Sequence, residues 1–182
     1  MVIIQFVETS YFALILIGWN NSDLVLGSAM SDSSPNPNEE RGLNLLGRSE
    51  SRLPASPDEA RLETFANHNA SRDYWIHLDC PEFSSLCPVT GQPDTARVQI
   101  RYIPDEVCVE TKSLKFYLAS FRNTAAFNEE VVNRILTDLV NACAPKQAVV
   151  RGSFASRGGI RLTCQAAHPS DAHLAATLTP EV

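Results

Sequence analysis

Between Ala96 and Gln165 the spacing of the apolar residues changes twice, and that change limits the possible folds more than any other property of the chain. From Ala96 to Ile103, Val98, Ile100 and Tyr102 alternate with Arg97, Gln99 and Arg101, the period of a strand buried on one face. Tyr74 to Cys80 alternates in the same manner. The period then lengthens: Leu114, Tyr117, Leu118 and Phe121 fall at i, i+3, i+4 and i+7, which predicts a helix over Lys112 to Phe121. Val132, Ile135, Leu136, Leu139, Val140 and Cys143 repeat the pattern, so a second helix is expected from Glu129 to Cys143, closed by Pro145. Two more strands follow, Gln147 to Phe154 and Ile160 to Gln165, joined by the turn-forming run Ser156, Arg157, Gly158, Gly159. Two strands, two helices and two strands make an α+β layer in which helices cover one face of an antiparallel sheet. The other face carries Arg97, Gln99 and Arg101 in one strand and Arg161, Thr163 and Gln165 in another, and is therefore polar. A fold of one helical layer with strand edges to protect has reason to associate edge to edge.

Composition narrows the class further. At 182 residues, 44% hydrophobic and 20% charged, the chain suits one domain. Fifteen Lys plus Arg against 21 Asp plus Glu leave it without the cationic surplus that favours nucleic acid. The five cysteines, 80, 87, 108, 143 and 164, contain no CxxC pair, which points away from a disulfide framework or zinc ribbon and toward reduced thiols in a cytoplasm. The apolar run Tyr11 to Trp19 is shorter than the ~20 residues that span a bilayer. No Lys or Arg precedes Arg41, so the positive region of a secretory signal is missing as well. Met30 opens MSDSSPNPNEERG, and Met30 is expected to be the true start; a disordered extension is the alternative. Residues 1–65 are expected to be extension and linker or surface wrapping, 66–166 the folded domain, and 167–182 a polar tail.

Three groups of residues could do chemistry. The connection CPEFSSLCPVTGQPD, Cys80 to Asp94, is long for a hairpin and punctuated by Pro81, Pro88, Gly91 and Pro93, which would hold Cys87 and Asp94 at a fixed separation. A thiol and a carboxyl so placed suit a nucleophile and a proton donor, although most free cysteines are small buried hydrophobes, and spacing alone leaves both readings open. On the first helix Lys112, Lys115 and Arg122 share the face opposite the apolar stripe and could bind phosphate or simply be solvated. At the start of the second helix Asn128 reads as the N-cap and Glu129 and Glu130 as first-turn acids. Glu129 could also accept two parallel hydrogen bonds from a guanine-like edge.

Taken together, RDYWIHLDCPEFSSLCPVTGQPD, IRYIPDEVCVETKSLKFYLASFRN and FNEE resemble the NADPH-dependent 7-cyano-7-deazaguanine reductases, the QueF family of the queuosine pathway, in its short single-domain form. The similarity runs from about Asn67 to Gly159. It implies the tunnelling fold (T-fold), in which ββααββ subunits join into barrels that stack in pairs, with active sites at subunit boundaries. It implies reduction of a nitrile on a deazaguanine to a primary amine, in a cytoplasmic homo-oligomer, with two NADPH and no metal. By position, Cys87 matches the nucleophile that would form a thioimide and Asp94 the proton donor. Glu129 matches the carboxylate on the guanine-like edge, with Asn128 beside it; Val109, Glu110 and Thr111 match the segment lining the base. Lys112, Lys115 and Arg122 match a basic signature that would contact NADPH phosphates. The substrate implied is the small molecule, with no direct contact to nucleic acid or membrane.

This chain departs from the pattern at Thr111, where the family usually has Ser or Leu, and at Asn128, where it usually has His; Asn cannot exchange a proton near neutral pH. One rival of the same architecture is an amidinotransferase acting on the same nitrile in tRNA, which needs the Cys and Asp but no NADPH. Another is a zinc-dependent cyclohydrolase, whose Cys and His metal set this sequence lacks. The third, of a different class, is a purine-binding oligomer without catalysis.

Overall fold

The computed structural model describes residues 52–170. The expectations for the apolar run at 11–19, for a start at Met30 and for the end of the tail fall outside that range. The elements are β1 (Thr64–Ala66), β2 (Ile76–Leu86), β3 (Pro93–Ile103), β4 (Val107–Val109), α1 (Thr111–Ser120) followed by a 3-10 turn at Phe121–Asn123, α2 (Asn128–Cys143), β5 (Gln147–Phe154) and β6 (Thr163–His168).

The main sheet has the order β2-β3-β5-β6 and every pairing is antiparallel. Register puts Cys80 opposite Val98, Ile100 opposite Val150 and Val150 opposite Ala166, so one face gathers the apolar side chains of all four strands. The helices cover that face. Leu114, Tyr117, Leu118 and Phe121 are all buried, as the spacing predicts, and meet Val132, Ile135 and Leu139 of α2 in one core. Phe121 joins the layers, its ring 5.5 Å from that of Phe83 on β2 and 5.4 Å from that of Tyr117. Where α2 crosses β5 a side chain at Gly152 would put its Cβ 2.7 Å from a methyl of Val132, so the close approach requires glycine there. The α+β expectation, two helices on one side of an antiparallel sheet, is the observed architecture.

The opposite face is polar, and its long side chains pair with one another. Arg97 makes two charge-assisted bonds to Asp79, at 2.7 and 2.6 Å, and the Arg101 guanidinium lies 4.5 Å from the centre of the Trp75 ring.

Three features differ from the sequence expectation. Strand β2 runs six residues past Cys80, because a bulge between Cys80 and Phe83 shifts the register and the strand then resumes with Phe83 and Ser85 facing the core. The long loop expected from Cys80 to Asp94 therefore shrinks to Cys87–Gln92. Strand β6 starts at Thr163 rather than Ile160, because Arg157 and Ile160 close a tight turn on each other, N–H to carbonyl at 3.0 Å in both directions. Asn128 is not the cap of α2: that position is Phe127, whose N–H donates to the Glu130 carboxylate at 3.1 Å.

A second, two-stranded sheet pairs β1 with β4, Thr64 opposite Val109. The described residues before it wrap the helical layer. The carbonyl of Pro54 accepts from Arg122 at 2.9 Å, and Asp58 pairs with Arg134.

Candidate active site

Cys87 opens the turn between β2 and β3, and the turn closes on it from both sides. Its N–H donates to the Gln92 carbonyl and its carbonyl accepts from the Gly91 N–H, each at 2.9 Å, with Gly91 at φ 67, where a Cβ would be strained. The Thr90 hydroxyl, then the N–H groups of Thr90 and Val89, stabilise the thiolate and lower the Cys87 pKa, against smaller opposing effects of burial and of the Asp94 charge. The other shifted thiols move the opposite way. Burial raises Cys80, Cys164 and Cys143, the last to about 12. Cys87 is thus the nucleophile candidate for an electrostatic reason as well as a positional one.

Asp94 sits on the returning strand. It lies opposite Ser85, and the next pair outward is Leu86 with Pro93, so Cys87 and Asp94 flank one end of the ladder. The carboxylate is 9% exposed and its ion pair runs to Arg157, Nη2 to Oδ1 at 2.9 Å. The same Nη2 donates to the carbonyls of Gln92 at 3.2 Å and Pro93 at 2.6 Å. Sequence reasoning left Arg157 inside a turn cluster and missed this contact. The available signal was Arg-Gly-Gly-Ile, since Gly158 and Gly159 both adopt positive φ, 56 and 81, and so fix the hairpin tip that presents the guanidinium.

The third wall comes from the lead into α2. The Leu86 N–H donates to the Thr124 carbonyl at 3.0 Å and the Leu86 carbonyl accepts from Ala126 at 3.1 Å, which brings Phe127, Asn128 and Glu129 to the same end of the sheet. The Asn128 Oδ1 is buried there without a hydrogen-bond partner among the described residues, as is the hydroxyl of Ser85. Glu129 is exposed, and its charge contributes to the rise of the Cys164 thiol on β6. Each of the three walls exposes an apolar side chain: Val89 at 78%, Phe127 at 53% and Ile160 at 75%.

Val109, Glu110 and Thr111 lie elsewhere. Val109 is buried and its N–H donates at 3.1 Å to the hydroxyl of Tyr102, eight residues along β3 from Asp94, or about 27 Å in an extended strand. Glu110 is the N-cap of α1: its two carboxylate oxygens accept from the N–H groups of Lys112 and Ser113 at 2.8 and 2.7 Å. Thr111 is exposed beside it. Within one chain the residues expected to surround a substrate therefore form two groups at opposite ends of β3.

The three cations follow α1. Lys112 is half-buried, with Nζ 5.9 Å from the centre of the Phe116 ring. Lys115 is exposed and lines a cavity of about 290 Å³ with Cys80, Glu82 and Leu118. Arg122 falls beyond the α-helix, and one of its nitrogens is committed to the carbonyls of Pro54 and Ala119, both at 2.9 Å. It fastens the preceding segment to the helix. Among the described residues no three His, Cys, Asp or Glu side chains are grouped so as to hold a metal ion, and no helix is long and apolar enough to cross a membrane.

The chain matches the family model described as QueF-like protein over residues 93–173. It is 52% identical to the NADPH-dependent 7-cyano-7-deazaguanine reductase of Magnetococcus marinus over 112 residues, 62% of this chain and 88% of that protein. It is 50% identical to the enzyme of the same name from Porphyromonas gingivalis over 124 residues, 68% of this chain and 79% of that one. A crystal structure of the archaeosine synthase QueF-Like in the apo form superposes with a TM-score of 0.49 at 22% identity, covering 51% of this chain and 91% of that one.

Proposed function

Because the chain belongs to the family of NADPH-dependent 7-cyano-7-deazaguanine reductases, we propose that it reduces the nitrile of 7-cyano-7-deazaguanine to the primary amine, through a covalent adduct on Cys87, in queuosine biosynthesis. One observation carries the reading. The thiol with the lowered pKa sits in a turn whose returning strand brings Asp94 to its side.

The Cys87 thiolate adds to the nitrile carbon, forming a C–S bond as one C–N π bond opens, and the nitrogen takes a proton from Asp94 to give a thioimide. NADPH, when bound, supplies the two hydrides that carry the carbon to the amine level. Between them the C–S bond breaks and Cys87 departs as thiolate, which its Thr90 and Val89 donors again stabilise. Asp94, reprotonated from solvent, delivers a second proton to the nitrogen after the second hydride, so that two hydrides and two protons together turn the nitrile into the amine. Glu129 holds the guanine-like edge through two parallel hydrogen bonds, with Asn128 next to it, while Val109, Glu110 and Thr111 line the base. Lys112 and Lys115 fit the phosphate end of the cofactor: they stand one helical turn apart, and the exposed ammonium of Lys115 borders a cavity. Arg122 braces that helix.

Two groups about 27 Å apart in one chain serve one substrate if a second copy supplies the missing half. The reading therefore includes a homo-oligomer of T-fold subunits, joined through the free edges of β2 and β6. It works in the cytoplasm on a free base, with no direct nucleic-acid or membrane partner.

The test is to mix purified protein, 7-cyano-7-deazaguanine and NADPH and follow cofactor absorbance, with Cys87→Ala in parallel. Consumption by the parent that the variant loses supports the reading. Equal consumption by both refutes covalent catalysis at Cys87, and no consumption by either returns the choice to the amidinotransferase or the non-catalytic purine binder.

A further inference from the structure

Ser85, Ser113 and Ser120 are fully buried, and their hydroxyls are treated differently. The Ser113 hydroxyl accepts the Glu63 N–H at 2.9 Å and donates to the Glu110 carbonyl at 2.7 Å, and that of Ser120 donates to the Tyr117 carbonyl at 2.5 Å. The Ser85 hydroxyl has no partner among the described residues. A buried hydroxyl left in that condition destabilises the fold, where an alanine would not. Such a cost is kept where a working group needs it.

The place of Ser85 shows which group that is. Across the β2–β3 ladder it pairs with Asp94. Asp94, Ala96 and Val98 are buried and alternate with exposed Thr95 and Arg97, so Asp94 lies on the inner face of β3. Phe83 and Ser85 are buried on the inner face of β2. Residues directly opposite one another on one face of an antiparallel pair hold their Cβ atoms about 4.5–5.5 Å apart. A turn of the serine about χ1 lets its hydroxyl bridge that gap to a carboxylate oxygen. The ion pair to Arg157 engages Oδ1, and an ionised carboxylate has room for more than one donor.

We propose that Ser85 is a positioning residue for the acid: its hydroxyl turns to donate to the Asp94 carboxylate as that group hands its proton to the nitrile nitrogen. The inference rests on the reading of Asp94 as the proton donor. Only one proton moves: it leaves Asp94, the nitrogen gains it, and Ser85 keeps its own. Because the bond forms as charge develops on Asp94, it lowers the barrier without tightening the hold on substrate.

The experiment uses the full chain mixed with 7-cyano-7-deazaguanine alone, and follows by intact-protein mass spectrometry the rate at which Cys87 gains the mass of the base. In Ser85→Ala that rate is expected to fall about ten- to a hundredfold, the worth of one hydrogen bond to a charged group. With NADPH present kcat falls while both KM values hold. Iodoacetamide alkylation of Cys87 stays at the parent rate, since the donors to the thiolate are Thr90 and Val89, and the melting temperature holds or rises. Ser85→Thr restores most of the rate. Should its added methyl prevent folding, Ser85→Cys, a weaker donor of similar size, is expected to fall between the parent and alanine. Adduct formation at the parent rate in Ser85→Ala overturns the proposal. So does a loss that comes with a lower melting temperature and that no hydroxyl or thiol restores, which makes Ser85 a packing residue, and so does slowed alkylation, which moves its effect to the thiol. Failure of the underlying reading is seen separately, as an Asp94→Asn variant that forms the adduct and turns over at the parent rate.

Discussion

Strand β3 carries a polar cluster at each end, and the two are built differently. At the Val109 end Tyr102 accepts from a backbone N–H, Glu110 uses both carboxylate oxygens to cap α1, and the Ser113 hydroxyl accepts the Glu63 N–H at 2.9 Å and donates to the Glu110 carbonyl at 2.7 Å. Donors and acceptors there satisfy one another within the fold. At the Asp94 end a thiol is shifted toward its charged form, a carboxylate is held by a side chain from a distant hairpin, and the polar atoms of Ser85 and Asn128 have no partner among the described residues. Both ends carry a shifted group, Tyr102 raised by burial and Cys87 lowered by hydrogen bonds to its thiolate, but the shift toward the charged form, beside unpartnered polar atoms and exposed apolar side chains, falls at the Asp94 end.

The contrast can be broken experimentally. The largest effect is expected from Cys87→Ala, which lowers turnover by about a thousandfold or more and leaves the melting temperature unchanged; a melting shift without loss of turnover would reverse the assignment of the two ends. Glu110→Ala acts at the other end and is expected to cost about 0.5–2 kcal/mol in thermal or urea unfolding through loss of the cap. Cys87 alkylation in that variant stays at the parent rate, while KM for the base rises. Thr90→Val sharpens the account of the thiol. Alkylation rises with pH as thiolate forms, and the hydroxyl now moves that rise below the range of an ordinary thiol, so removing it shifts the curve to higher pH. The smallest effect is expected from Asn128→His. It introduces a group that titrates near pH ~6.5 and so changes the shape of the pH–rate curve more than its height. An unchanged curve would remove Asn128 from the site.

Much of this was legible in the sequence where a periodic pattern was long enough to speak. Leu114, Tyr117, Leu118 and Phe121 announced α1, and Val98, Ile100 and Tyr102 announced β3, because each set buries a continuous face. The second half of β2 was hidden by its bulge, which inserts residues without period, and β1 and β4 are too short to show any. The turn that carries Cys87 could be found from its Pro and Gly punctuation. The Arg-Gly-Gly-Ile run marks a hairpin tip, but the partners of Arg157 could not be read from it, because they stand 63 to 65 residues away and the pairing exists only once β3 and β5 lie side by side. The apparent cap at Asn128 misled for a local reason: Glu130 reaches back to Phe127 and leaves the asparagine side chain free for something else.

The bulge at Cys80–Phe83 has a further consequence. It divides the outer rim of β2 into two short stretches of backbone that are out of phase with one another, so an incoming strand cannot slide along it by two residues and find an equivalent fit. The rim is keyed: a strand laid along it would find a single alignment, the one in which both stretches are in phase with it at once.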